Sequence, residues 1–337
     1  MYGIIPRISS QLAIIMNTIG SLVIDIEGKE LTTEERELVA HPLVGGIILF
    51  SRNYESRHQL KNLCYQLRLA RKGPLLIMVD QEGGRVQRFK AEFTRLPPMA
   101  DFGKIYNSNP AAACQAAQEC GYHMASELLS VGIDLSLAPV LDLNKGLNAA
   151  IGDRAFHRDP QVVIPLAQSL IRGMYGAGMA AVGKHFPGHG GVTLDSHVAI
   201  PVDGRTLSTI ESDDLIPFTG LIQAGIPALM AAHIIFPEVD DLPVGFSSRW
   251  LKDILRTHLK FTGTIFSDDL NMEGANISPH YADRVQAARE AGCDFALLCN
   301  NRKGVIAVLN NLPHELHRVS QEKWGILQGE QKRYEPV

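Results

Sequence analysis

Eight short apolar runs, each followed by a stretch with helical spacing, predict an α/β protein built as a single-domain (β/α)8 TIM barrel. The chain has 337 residues, 45% of them hydrophobic, which covers the ~250 residues such a barrel needs and leaves room for loops. The rival doubly wound sheet would carry a glycine-rich phosphate turn after its first strand. Here that turn reads IDIEGKEL, with no GxGxxG.

The runs are SLVIDI (21–26), GGIILF (45–50), LLIMVD (75–80), IDLSLAP (133–139), AAVGKHF (180–186), PALMAAH (227–233), GTIFSDD (263–269) and DFALLC (294–299). Each is mostly continuous in apolar residues rather than alternating, as in parallel strands buried on both faces. Between them, TTEERELVAH opens on a threonine cap with glutamates in its first turn. NPAAACQAAQECGYHMASELLSVG and DPQVVIPLAQSLIRGMYGAG begin with Asn/Asp-Pro and end near glycine. LSTIESDDLIPFTGLIQAG and SSRWLKDILRTHL carry serine caps. No linker or low-complexity segment divides the chain. After the eighth run about forty residues remain, too few for a second domain. Met16 offers a second start, which would make 1–15 an N-terminal extension and 16–337 the barrel domain.

A net charge of −4 gives no basic field for nucleic acid or an anionic membrane. Pro6 and Arg7 interrupt the apolar N-terminus, no cleavage pattern follows, and no run reaches the ~18 apolar residues of a membrane span. Five cysteines without a CxxC pair read as reduced, mostly buried thiols. The thiols point to a cytoplasmic protein.

Catalytic groups of barrel enzymes sit at the C-terminal ends of the strands. Polar residues fall there after six runs: Asp25; Asp80 through Arg85; Lys184-His185; His233; Asp268-Asp269; and Asn300-Asn301-Arg302. One charged residue after a strand is ordinarily a cap. Six on one rim predict a polar pocket.

The densest stretch, KHFPGHGGVTLDSH (184–197), admits three chemistries. His185 and His189 have the i, i+4 spacing of a zinc helix, but Phe186-Pro187-Gly188 between them argues against a helix. GHGG could nest a phosphate, yet no GK[ST] follows. The third chemistry is proton transfer. In an extended segment Asp195 and His197 share a side, with Ser196 turned away, so the carboxylate could orient the imidazole. Gly190 and Gly191 would let such a loop swing. An exposed loop histidine remains the alternative at this point.

The same loop resembles the signature of glycoside hydrolase family 3, most closely its single-domain bacterial β-N-acetylhexosaminidases. The resemblance spans about residues 20–310. It includes HPLVGGIILFSRNY (41–54), DQEGGRVQRF (80–89), LAPVLDLN (137–144), AAIGDRAFHRDP (149–160), FSDDLNMEGA (266–275) and AGCDFALLCNNR (291–302). It implies a retaining enzyme that removes N-acetylglucosamine from muropeptides in peptidoglycan recycling, with Asp268 as nucleophile, His197 as acid/base and Asp195 as its partner. It also implies that Asp80, Arg88, Arg154, Lys184 and His185 bind the terminal sugar. The same resemblance implies a monomer that acts on a small molecule, with no cofactor and no metal. Asp153 replaces an expected Glu and Phe156 a common Tyr.

The chemistry is coherent. A histidine with an ordinary pKa near ~6.5 can protonate a leaving oxygen and then deprotonate water. Lys184 and the arginines would keep Asp268 ionised. Adjacent strand residues face opposite ways, so one of Asp268 and Asp269 should enter the pocket, and the family pattern selects Asp268. Asp269 then reads as a capping or pairing residue, and His189 as a support for the loop turn. His233 reads as a wall or core residue. For Arg85 and Arg88 the alternative role is a salt bridge to Glu82 or Asp80. A β-glucosidase, a phosphorylase, a metal-dependent barrel amidohydrolase and a non-catalytic sugar-binding protein remain alternatives.

Overall fold

The structure is a computed structural model that describes residues 19–147, 149–194, 196, 199–313 and 318–328. Residues 1–15, Asp195 and His197 lie outside the described residues. All eight expected strands form: β1 Leu22–Asp25, β2 Val44–Leu49, β3 Leu76–Val79, β4 Leu135–Ser136, β5 Val182–Phe186, β6 Ala228–Ala231, β7 Thr264–Asp269 and β8 Phe295–Leu298. They are parallel, in the order β4-β3-β2-β1-β8-β7-β6-β5.

The ring closes between β4 and β5 through irregular backbone. Val182 donates to Ala138 O (2.8 Å), Lys184 to Pro139 O (3.1 Å), and Leu141 to Lys184 O (2.6 Å). Pro139 has no N–H for a ladder, so the predicted run 133–139 keeps regular pairing only at Leu135–Ser136. The chain after it still follows β5, which places Asp142 beside His185.

Among the described residues, eight of the helices follow the strands: α1 Thr33–Ala40, α2 Arg57–Ala70, α3 Pro110–Ser130, α4 Pro160–Ala177, α5 Leu215–Gln223, α6 Arg249–His258, whose hydrogen bonding is π-helical, α7 Tyr281–Ala291 and α8 Arg302–Asn311. Their starts follow the sequence signals. Thr32 and Glu35 form a reciprocal cap on α1. Asn109 and Asp159 cap α3 and α4, each with proline in the first turn. The stretch 207–225 does not form one helix. It breaks between Leu207–Glu211 and α5, and Asp214 in the break turns inward to Lys145 and Arg205. At α6 the serine that caps is Ser247, whose Oγ accepts from Trp250 N (3.0 Å).

Two apolar layers result. One lies between strands and helices. The other fills the barrel with Val23, Ile48, Met78, Leu135, Val182, Met230, Phe266 and Phe295. Phe266 and Phe295 stack with centroids 5.0 Å apart. Each such ring contributes roughly 2–3 kcal/mol by burial. The filled interior leaves no room for a ligand among these side chains, so a cavity on the barrel axis has to lie at the rim. All five cysteines are unpaired thiols, four of them buried.

Candidate active site

A cavity of 330 Å³ opens at the C-terminal ends of the strands. Its wall includes Asp80, Glu82, Arg88, Arg154, Lys184, His185, Asp268, Asp269 and Asn300. Six of the eight residues expected at the site therefore border one space. The other two, Asp195 and His197, are outside the described residues.

The loop after β3 is a tight hairpin in which Gln81–Gly83 pairs with Val86–Gln87. Gly83 (φ 104°) and Gly84 (φ 55°) take backbone conformations that side chains disfavour, which lets the strand reverse at once. Gln81 clamps the return by accepting from Phe89 N (3.1 Å) and donating to Phe89 O (3.0 Å). Arg88 is thereby carried back to Asp80, with Nη2 3.3 Å from Oδ2.

The charges interlock. Lys184 Nζ donates to Asp80 Oδ1 (2.8 Å) and lies 2.6 Å from Glu82 Oε1. Arg154 grips Glu82 through Nε (2.7 Å) and Nη2 (2.8 Å). Burial would raise the Asp80 and Glu82 carboxyls. The cations outweigh it, Lys184 first, holding Asp80 far below the usual range and Glu82 down to about 2. Lys184 is fully enclosed; burial would lower its pKa, but the two carboxylates raise it. All four groups stay charged through neutral pH, and their charges cancel in pairs.

His185 Nδ1 sits 2.7 Å from Asp142 Oδ2, and Asp142 Oδ1 accepts the amides of His185 (3.2 Å) and His189 (2.6 Å). A buried carboxylate on Nδ1 fixes the ring's orientation. Burial opposes ionisation of Asp142, but its histidine contacts and amide bonds lower its pKa. The His189 ring, kept neutral by burial, places Nε2 3.0 Å from Ser196 Oγ. Among the described residues no three of His, Cys, Asp and Glu converge as metal ligands.

Asp268 and Asp269 both border the cavity, contrary to strict alternation. The register of β7 against β8 shifts between Phe266 and Asp269, an irregularity that interrupts regular alternation there. Their bonding separates them. Asp268 Oδ1 accepts the Asp269 amide (2.8 Å). Asp269 Oδ1 accepts Asn271 N and Cys299 N, both at 3.0 Å, tying β7 to the end of β8. Burial pushes Asp269 up to about 7.

Two rim positions stand apart from the cavity. Asp25 pairs with Arg52 and accepts Asn300 N (3.1 Å). His233 is fully buried, stacked on Phe246 at 5.5 Å, as a core residue would be. Arg85 bridges Asp153 (3.1 Å) and the carbonyls of Ala149 and Ala150 instead of Glu82 or Asp80. Arg88 does bridge Asp80. Trp250 belongs to the core beside Phe186 and Phe236. Glu82 and Asp142 were not among the expected site residues. Glu82 stands two residues after Asp80, the same-side spacing of an extended chain, and Asp142 lies inside LAPVLDLN.

No helix among the described residues is long and apolar enough to cross a membrane. The chain is 52% identical over 299 residues to a beta-hexosaminidase of Nitrosospira multiformis, covering 89% of this chain and 86% of that protein. It is 54% identical over 295 residues to one of Thiobacillus denitrificans, covering 88% and 82%. The crystal structure of NagZ from Neisseria gonorrhoeae in complex with N-trifluoroacetyl-D-glucosamine superimposes with a TM-score of 0.86 at 44% identity, covering 93% of this chain and 90% of that one. Residues 11–327 match the glycosyl hydrolase family 3 N-terminal domain. With this match over most of its length, the chain belongs to glycosyl hydrolase family 3.

Proposed function

We propose that the protein is a retaining exo-β-N-acetylglucosaminidase that removes terminal N-acetylglucosamine from muropeptides, working as a cytoplasmic monomer in peptidoglycan recycling. The observation that carries this reading is the cavity itself. Asp268 shares it with Asp80, Glu82, Arg88, Arg154 and Lys184, so that in this set, Asp268 included, three carboxyl groups face three cations. Paired charges suit an uncharged, hydroxyl-rich ligand. Asp80 can accept from sugar hydroxyls, and Arg88 and Lys184 can donate to them. A volume of 330 Å³ is at the low end for ligand pockets (~300–1,000 Å³), which favours one terminal sugar over a chain threaded through. The beta-hexosaminidase names of the relatives and the sugar analogue held by the Neisseria protein point the same way.

In this mechanism Asp268 attacks the anomeric carbon while His197, partnered by Asp195, protonates the leaving oxygen. A glycosyl-Asp268 ester forms and the aglycone departs. Neutral His197 then takes a proton from water, the water attacks the same carbon, and the carbon–Asp268 bond breaks. Two inversions leave the configuration unchanged. Arg154 and Lys184, locked by Glu82, hold the sugar without rearranging during the reaction.

The test is release of 4-nitrophenol from its N-acetyl-β-glucosaminide, with product configuration followed by NMR. Turnover with β-anomeric product is expected. Preference for the plain β-glucoside would make the enzyme a glucosidase. Acceleration by phosphate with a sugar phosphate product would make it a phosphorylase, and loss of activity to chelators would favour the amidohydrolase.

A further inference from the structure

We propose that Asp142 is a positioning residue that sets which ring nitrogen of His185 carries the proton, and so makes His185 Nε2 a hydrogen-bond acceptor for a hydroxyl of the bound sugar. The proposal rests on the glycoside reading of the cavity. Asp142 is 1% exposed, yet three N–H groups converge on it. Oδ1 accepts the amides of His185 (3.2 Å) and His189 (2.6 Å), and Oδ2 lies 2.7 Å from His185 Nδ1. The backbone arranges this convergence. Leu141 donates to Lys184 O (2.6 Å), which lays the chain after β4 along β5. Gly188 donates to His185 O (2.8 Å), closing a turn that brings the His189 amide back to the same carboxylate. A Cβ on Gly190 would lie 2.0 Å from Leu143 O, so the turn rests directly on the chain that carries Asp142.

The tautomer follows from the donors and acceptors. Burial opposes ionisation of Asp142, and its histidine contacts and amide bonds overcome it. An ionised carboxylate has no proton to give. The hydrogen of the bond to Oδ2 must then sit on Nδ1, and in the neutral ring Nε2 keeps a lone pair. His185 borders the cavity, and Nδ1 is the ring nitrogen committed to Asp142, so Nε2 is the one left for a ligand. Neighbouring acceptors on the wall are already engaged. Lys184 and Arg88 take the two oxygens of Asp80, and Lys184 and Arg154 those of Glu82. Arg88, Arg154 and Lys184 offer donors alone. Nε2 adds a directional acceptor, which a hydroxyl satisfies and a fluorine, having no hydrogen to donate, does not.

Two measurements test this on the wild type, D142N and H185A. Imidazole 15N shifts separate the two neutral tautomers and the cation, and the His185 signals are assigned by their loss in H185A. At about pH 8, above the usual histidine value, the wild-type ring should be the Nδ1–H form. D142N keeps Oδ1 for the two amides and sets an NH2 against Nδ1, which selects the Nε2–H form. The second measurement is kcat/KM on 4-nitrophenyl N-acetyl-β-glucosaminide and on analogues with fluorine in place of the hydroxyl at C3, C4 or C6. At one of these positions fluorine should cost the wild type about tenfold more than it costs D142N or H185A, what one hydrogen bond of ordinary net strength is worth. Comparing proteins on the same analogue cancels the inductive effect of fluorine. A wild-type ring in the Nε2–H or cationic form would overturn the acceptor, and an Nδ1–H ring in D142N would overturn the role of Asp142. Equal fluorine penalties in all three proteins at every position would overturn the contact with the sugar. Absence of turnover of the parent glycoside by the wild type would overturn the glycoside reading instead, while the spectra still decide whether Asp142 sets the tautomer. If D142N is poorly folded, the wild-type spectra and the fluorine penalties of H185A decide.

Discussion

Glu82 shows how a residue can govern a site through its neighbours. Both its oxygens are used by Arg154 and Lys184, so its role is to hold two cations in place. Glu82→Gln would leave that pair of buried cations short of one negative charge. Breaking such a pair from one side typically costs ~3–5 kcal/mol. We expect a stability loss of that order by chemical denaturation and a raised KM for the glycoside, because Arg154 is freed from its fork. Unchanged KM in folded E82Q would show that the arginine's position does not depend on Glu82. Asp80 was legible from the sequence because it ends a strand and begins a motif. Asp142 was not, because the strand before it read as finished at Pro139, and only three dimensions return the chain to β5.

The barrel strands were legible because a strand buried on both faces must be continuously apolar. The loops were less so, since their glycines fit two opposite physical roles. Gly190 and Gly191 suggested freedom; in the structure they permit contact. Gly190→Ala drives a methyl into the Leu143 carbonyl and should destabilise by about 1–3 kcal/mol, the usual range for overpacking. Gly204→Ala, with nothing within 4 Å of the added carbon, should leave the melting temperature nearly unchanged. Equal melting temperatures for the two variants would argue that this loop is loosely packed. Alternation failed at β7 for a related reason. A register shift is invisible in TIFSDD, because nothing in six residues tells where the neighbouring strand pairs.

Across the molecule, the buried carboxyls set opposing pH trends. Asp80, Glu82 and Asp142 have folded pKa values below their unfolded ones. Their stabilisation is present above about pH 4 and is lost as pH falls through the folded values. Asp269, raised to about 7, runs the other way. Between about pH 4 and its folded value it is protonated in the native protein and ionised in the unfolded chain, so stability falls as pH rises through that window. Asp269→Asn keeps an oxygen for the Asn271 and Cys299 amides and removes the titration. Its urea midpoint should decline less than the wild type's between about pH 4 and pH 8. Parallel curves would mean that Asp269 does not titrate in this range.

The proposed mechanism depends on Asp268 being the group that bonds to the sugar. A fluorinated N-acetylglucosaminyl substrate that slows the second step should trap the intermediate, and mass spectrometry of the digested protein should locate it. The prediction is one fluorosugar on Asp268, within FSDDLNMEGA, and no adduct in Asp268→Asn. A label on Asp269 or any other residue would contradict it.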